Sequence, residues 1–310
     1  MLAVLTSCGG SSGQPYVFKL LDSSPGGSPF SRLHFISNTS VQVTTDCSIF
    51  RSYPNYAEAS VIVDGQYSQT LKCTSATPQT FFVEPGPGKT IDIVSGTRFR
   101  ATPESSVTGN NIQSVFGSVW AAPERTNRLV VIYGDSIACG FGTDVPSRDA
   151  WAVLLRNSFE VGVEAWGGRQ LNTDYDAGLA GLMSYFVSYG NPSVFWLAIG
   201  VNDFFHSVNL SNFNFEYAAL LDAIHSRFPN ASMFAQTPLS TAWEGPNVGG
   251  YTLGSYRIGI SRACAERSFC HFVDGTSILS LSDLSPDGIH PTTAGNAKYE
   301  SYVLTVLLKN

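Results

Sequence analysis

Near Trp120 the hydrophobic pattern of this chain changes its period, and that change limits what the chain can fold into. From about residue 15 to residue 120, apolar residues recur at every second position and no helical stretch interrupts them. Val41-Gln42-Val43 and Ile91-Asp92-Ile93 alternate, and Val61-Ile62-Val63 is a short β-branched run. Alternation turns one side of each strand inward. Asp64-Gly65, between Val61–Val63 and Tyr67–Leu71, has the turn chemistry of a tight hairpin. Pro25-Gly26-Gly27, Pro54-Asn55 and Pro85-Gly86-Pro87-Gly88 add further turns. Short strands with frequent turns predict a jelly-roll-like β-sandwich over residues 15–122.

Beyond that point short apolar runs alternate with helical candidates. The runs are Leu129–Tyr133, Glu160–Ala165, Val194–Ile199, Ser232–Ala235 and His271–Val273. Helices are predicted at Asp149–Ser158, Asp174–Ser188, Asn212–Arg227, Tyr251–Arg267 and Thr293–Leu308. Continuous apolar runs suit strands buried on both faces, so residues 123–310 read as an α/β domain with helices on both sides of a parallel sheet. Two domains also fit the length, since 310 residues is about twice the usual ~150. Ligands of such sheets gather beyond the carboxyl ends of the strands, and the search for chemistry starts there.

Composition removes several classes. Charged residues make up only 14% of the chain and hydrophobic ones 43%, which excludes a disordered or coiled-coil protein. The net charge is −6, with no run of Lys or Arg, so nucleic acid is not expected as a partner. No stretch approaches the ~20 apolar residues of a membrane span. Residues 1–14 read as a truncated export signal and linker, because Leu5-Thr6-Ser7-Cys8 resembles the end of a bacterial lipoprotein signal. Cys8 is then a candidate lipid anchor and the location extracytoplasmic, either secreted or held at the bacterial cell envelope. Cys47 with Cys73, and Cys264 with Cys270, are spaced to bridge in an oxidising compartment, although all four suit buried packing as well.

Polar clusters stand at the strand ends. The first strand runs into Gly134-Asp135-Ser136-Ile137, the second into Gly167-Gly168-Arg169, and the third into Gly200-Val201-Asn202-Asp203. Asp287-Gly288-Ile289-His290-Pro291 follows the fifth. A serine hydroxyl becomes a nucleophile when a base takes its proton, and an imidazole serves as that base when an acid fixes its tautomer. Ser136, His290 and Asp287 supply those three groups. A tetrahedral oxyanion needs donors already in place; the candidates are the backbone N–H of Ser136, that of Gly168 or Gly167, and the amide of Asn202. Asp135 and Asp203 are expected to hydrogen-bond loop backbone. Cys139 is expected to be buried. Gly9-Gly10-Ser11-Ser12-Gly13 matches G-x-S-x-G only by letter, lacking the strand and helix that give the motif meaning. The five histidines show no ligand spacing, so no metal or other cofactor is expected.

Taken together, the four blocks resemble the SGNH, or GDSL-type, hydrolases over residues 128–308. The resemblance implies a flavodoxin-like domain with a five-stranded parallel sheet. It implies Ser136, Asp287 and His290 as catalytic residues and Ser136, Gly168 and Asn202 as the oxyanion hole. Gly168 is preferred to Gly167 because Arg169 matches the polar residue that usually follows the family's glycine. A β-sandwich ahead of such a domain is similar to the two-domain acetyl esterases of carbohydrate esterase family 2. Val61-Ile62-Val63-Asp64-Gly65 and Gly134–Gly142 carry that likeness. It implies an acetylated carbohydrate as substrate. Trp166, Phe204, Phe205 and Trp243 lie near the motifs or strand ends in sequence and are candidates to line a substrate cleft, Trp166 and Trp243 above all, although core packing explains any one of them equally well. Two alternatives are a GDSL-type lipase, thioesterase or arylesterase, and a non-catalytic carbohydrate-binding protein.

Overall fold

The computed structural model describes residues 16–19, 32–48, 57–96, 98–102, 105–108, 111–117, 119–121 and 128–310. The segment ending at Cys8, the Gly/Ser stretch after it and the turns at Pro25 and Pro54 lie outside the described residues. The chain divides into two compact units. Asn127–Asp144 and Asp149–Asn310 form the second, and the first holds the residues before them together with Val145–Arg148.

The first unit is built from two antiparallel sheets. One places Tyr16–Lys19, Asn111–Gly117, Val41–Asp46 and Gln79–Val83 side by side; the other runs Val119–Ala121, Arg32–Ser37, Lys89–Ser95, Glu58–Val63, Gln66–Lys72. With the edge strand Val119–Ala121 and the small hairpin Arg98–Thr102/Ser105–Thr108 set aside, the order is first-eighth-third-sixth in one sheet. It is second-seventh-fourth-fifth in the other, which is jelly-roll order. Val41, Val43 and Val83 from one sheet pack with Phe35, Val61, Ile91 and Ile93 from the other in a single core. The hairpin turn falls at Asp64 and Gly65, both at positive φ, the conformation a two-residue connection requires. Asp92 breaks the alternation. It is buried beside Ile91 and Ile93, and the His34 ring lies 2.6 Å from its carboxylate.

The second unit holds a five-stranded, wholly parallel sheet of Leu129–Gly134, Glu160–Ala165, Val194–Ala198, Ser232–Gln236 and Cys270–Val273. Its spatial order is second-first-third-fourth-fifth, the flavodoxin-like arrangement. The order reverses between the first and third strands, the place where ligands of such sheets gather beyond the carboxyl ends. Two expected helices are altered. Asp174–Ser188 is broken by Gly178, at φ +95°, into Leu171–Asp176 and Leu179–Ser188. Asp149–Ser158 shrinks to Trp151–Leu154 and a short 3-10 turn, Leu155–Asn157. The long helices Leu210–Arg227, Leu253–Ala265 and Thr293–Lys309 complete the unit.

Both cysteine pairs are bridged, Cys47 to Cys73 and Cys264 to Cys270. Cys139 is buried and outside any disulfide. A bridge stabilises according to the loop it closes, and the separations are 26 and 6 residues. Removing the first with paired Cys→Ala changes should cost ~3.5 kcal/mol and removing the second ~2 kcal/mol. Urea unfolding of the two variants checks the order; a larger loss at Cys264–Cys270 would contradict it.

Candidate active site

Ser136 stands just beyond the first strand, where the chain turns sharply. Amides of Cys139 and Phe141 bond back to the carbonyls of Asp135 and Ser136, at 3.1 Å each. Gly134 makes room for the turn, since a Cβ there would lie 2.7 Å from the Ala138 methyl and 3.2 Å from the Ala198 carbonyl oxygen. His290 arrives from the far end of the chain on the loop before Thr293–Lys309. Its Nε2 lies 2.8 Å from Ser136 Oγ and its Nδ1 lies 2.6 Å from Asp287 Oδ2. The three side chains thus form one hydrogen-bonded line.

The acid end of that line is strongly held. Asp287 Oδ1 accepts the amides of Ile289 and His290, at 2.8 and 3.0 Å, and the Ser285 hydroxyl at 2.8 Å. Partial burial works to raise its pKa, but the bonds from His290, Ile289 and Ser285 outweigh it and hold the carboxyl well below its ordinary value. The group is therefore a carboxylate at neutral pH. Gly142, at φ +90°, lets the chain pass close to the backbone of the base: a Cβ there would come within 3.0 Å of His290 Cβ and 2.6 Å of the Pro291 carbonyl oxygen. The Phe141 ring lies 5.6 Å from the His290 ring. The sequence reading missed both as supports of the base, although the paired glycines of Gly140-Phe141-Gly142 were visible.

The candidate oxyanion donors come from the next two loops. Asn202 lies in Val201–Phe205, a five-residue helix directly after the third strand, and its Nδ2 is buried with no hydrogen-bond partner. Buried donors are nearly always paired, so this unpaired amide, just past the end of the strand that pairs with the one leading to Ser136, is poised for an incoming acceptor. The structure separates the two glycines. Gly168 is in the left-handed region at φ +76° with open space where a Cβ would go, whereas a Cβ on Gly167 would meet the Phe141 ring at 2.9 Å.

The two aspartates of the motifs are buried and bond backbone, as expected. Asp135 accepts the Ile137 amide at 2.9 Å. Asp203 accepts those of Leu171 and Asn172, at 3.1 Å each, tying the Asn202 helix to the loop that carries Gly168. Burial pushes the Asp135 carboxyl up to about 7 and that of Asp203 up to about 6, against the pull of those amides.

The two tryptophans differ. Trp243 is 56% exposed, and its indole N–H donates to the Asp287 carbonyl at 3.0 Å. Next to it the Ala242 amide donates to the Gly288 carbonyl at 2.8 Å, so this stretch braces the acid loop. Trp166 does not offer both ring faces to a substrate. One face is taken by the Arg169 guanidinium, whose carbon lies 3.6 Å from the ring centre. Phe204 is buried, while Phe205 is 38% exposed.

The chain belongs to the GDSL-like lipase/acylhydrolase family, whose model matches residues 132–298, more than half of its length. Its class is therefore that of a carboxylic ester hydrolase. No curated protein matches it in sequence. Among solved structures, a family two carbohydrate esterase from Clostridium thermocellum, in complex with cellohexaose, is similar at 21% identity and TM-score 0.65. The match covers 92% of this chain and 95% of that one. A carbohydrate esterase family 2 enzyme with a carbohydrate binding domain, from Corynascus thermopiles, gives 18% identity and TM-score 0.66, covering 93% and 96%. A salicylyl-acyltransferase, SsfX3, from a tetracycline biosynthetic pathway gives 16% identity and TM-score 0.72, covering 90% and 82%. At these identities the likeness speaks for the fold.

The buried acids set a pH dependence. An aspartate with a raised folded pKa is protonated in the native state while its unfolded counterpart has ionised. Its contribution is therefore present below about 4 and lost as pH climbs to about 7 for Asp135 and about 6 for Asp203. Across that window native stability should fall by up to ~1.4 kcal/mol per pH unit for each group titrating. Asp135→Asn should flatten the fall. Urea unfolding from pH 4 to 8 measures it, and an unchanged slope in the variant would refute the assignment.

Proposed function

We propose that the protein removes O-acetyl groups from carbohydrate through an acetyl-enzyme on Ser136. The observation that carries the reaction class is the Asp287–His290–Ser136 line; the unpartnered amide of Asn202, at the carboxyl end of the neighbouring strand, supports it. Ser136 Oγ attacks the ester carbonyl while its proton passes to His290 Nε2, and Asp287 stabilises the imidazolium. The carbonyl oxygen becomes an oxyanion received by the Ser136 N–H, the Gly168 N–H and Asn202 Nδ2. Collapse breaks the bond to the sugar oxygen, which leaves with the His290 proton. Water then gives its proton to His290 and attacks the acetyl carbon; acetate leaves and Ser136 takes the proton back. No step calls for a metal or other cofactor, nor is nucleic acid a partner in this reading.

The substrate rests on less. It is supported by a jelly roll ahead of the hydrolase unit, by the solved carbohydrate esterases of like fold, and by the exposed Trp243 ring at the acid loop. An indole face suits the apolar face of a pyranose, and an acetyl group leaves specificity to the alcohol side. We also place the protein outside the cytoplasm, secreted or anchored through Cys8, a location supported by its two disulfides. Among the described residues no helix is long and apolar enough to cross a membrane.

Ser136→Ala should abolish ester hydrolysis with the fold intact. Asn202→Ala should lower kcat by about 10²–10³ with KM nearly unchanged, the cost of one preorganised donor; an effect confined to KM would mean that Asn202 binds the ground state. On the substrate, acetyl esters should be turned over far faster than octanoyl esters. Trp243→Ala should impair acetylated xylo- or manno-oligosaccharides more than a small aryl acetate. Preference for octanoyl chains would favour a lipase, equal losses on both acetates would confine Trp243 to bracing the acid loop, and an inert wild type that binds glycans would favour a non-catalytic protein.

A further inference from the structure

Arg169 is 1% exposed, an unusual place for a guanidinium. Its Nε donates to Asp174 Oδ2 at 2.6 Å, and its Nη1 donates to the Glu164 backbone carbonyl at 2.6 Å and to Glu164 Oε1 at 3.3 Å. Its carbon lies 3.6 Å from the centre of the Trp166 ring and 4.3 Å from that of Tyr133. The Tyr133 hydroxyl donates to the same Asp174 oxygen at 2.6 Å. One side chain thereby joins the first strand, the second strand, the Leu171–Asp176 helix and the loop from which it springs.

Stability alone is a poor reason for this cluster. Taking each ion out of water costs several kcal/mol, and well-packed apolar residues of similar volume often serve as well. What the cluster does fix is a loop. Gly168 precedes Arg169, is exposed, holds a left-handed conformation, and has nothing within 4 Å of where a Cβ would sit. With so little packing of its own, its amide takes its direction from its neighbours. On one side the Trp166 ring and the Arg169 fork are locked together; on the other, Asp203 grips the Leu171 and Asn172 amides.

We infer that Arg169 is a positioning residue of the oxyanion hole, its buried fork setting the direction of the Gly168 N–H relative to Asn202. The inference rests on the esterase reading above. Arg169 touches no reacting atom, and its effect passes through Gly168.

Arg169→Lys keeps the charge and gives up the fork and the planar stacking. With an aryl acetate, kcat should fall about 10- to 100-fold with KM within about twofold, since the donors act on the transition state. The inhibition constant for phenylboronic acid, which forms a tetrahedral adduct on serine, should rise by a similar factor. Near-UV circular dichroism at the assay temperature checks that the variant is folded. An unchanged kcat and boronate affinity in a folded but less stable variant would overturn the inference, as would a raised KM with unchanged kcat. If Arg169→Lys does not fold, Asp174→Asn loosens the same fork, and a folded Asp174→Asn with wild-type kcat and boronate affinity would overturn it equally. A wild type inert toward every ester would instead remove the esterase reading, while boronate affinity would still compare the hole in wild type and variant.

Discussion

Two carboxylates, Asp135 and Asp203, are buried at the carboxyl ends of the first and third parallel strands, and the loops of the site are tied to them. Burying a carboxylate is costly unless its charge is satisfied or given up. Here both are pushed toward the protonated form while still accepting backbone amides. In exchange, the turn after Ser136 and the loop after Gly168 each gain a fixed anchor on the sheet. Asp203 makes the more far-reaching connection, because it binds the Gly168 loop from the residue next to Asn202.

Around those anchors the site is assembled from parts far apart in sequence. Ser136 and His290 are separated by 154 positions and meet at 2.8 Å. The flavodoxin-like strand order gathers the Ser136, Gly168 and Asn202 loops of the first three strands at one end of the sheet, and His290 reaches Ser136 from beyond the fifth strand, on the loop before Thr293–Lys309. The acid–base loop then needs its own supports. Phe141 lies near the imidazole, Gly142 lies against the His290–Pro291 backbone, and Trp243 and Ala242 hold the Asp287–Gly288 turn. Rigidity of this kind serves electrostatic catalysis, in which donors and acceptors act without reorganising.

Much of this was legible in the sequence because it rests on local chemistry. The parallel strands announced themselves as apolar runs, the hairpin at Asp64-Gly65 by its turn residues, and the four motif blocks by their places at strand ends. What escaped reading depended on tertiary context. Val201–Phe205 is too short for a helical period, and the break at Gly178 is a single residue within an otherwise helical pattern. Asp92 looked outward by alternation, yet His34 and the surrounding sheet keep it inside. Arg169 was noticed only as the polar residue after a glycine; nothing local tells that its charge is met by Glu164, Asp174 and two aromatic rings. Nor does anything local tell that the same guanidinium covers one face of Trp166. The cysteine pairing was open for a like reason, since Cys47 and Cys73 follow strands of different sheets.

The central claim is that Ser136 is the nucleophile activated by His290 and Asp287. Its most direct test is covalent labelling with an alkyl fluorophosphonate, followed by peptide mapping and a parallel assay of ester hydrolysis. One equivalent of label on Ser136, with activity lost in proportion to labelling, is the predicted result. Label on any other residue, or full inactivation with Ser136 unmodified, would contradict it.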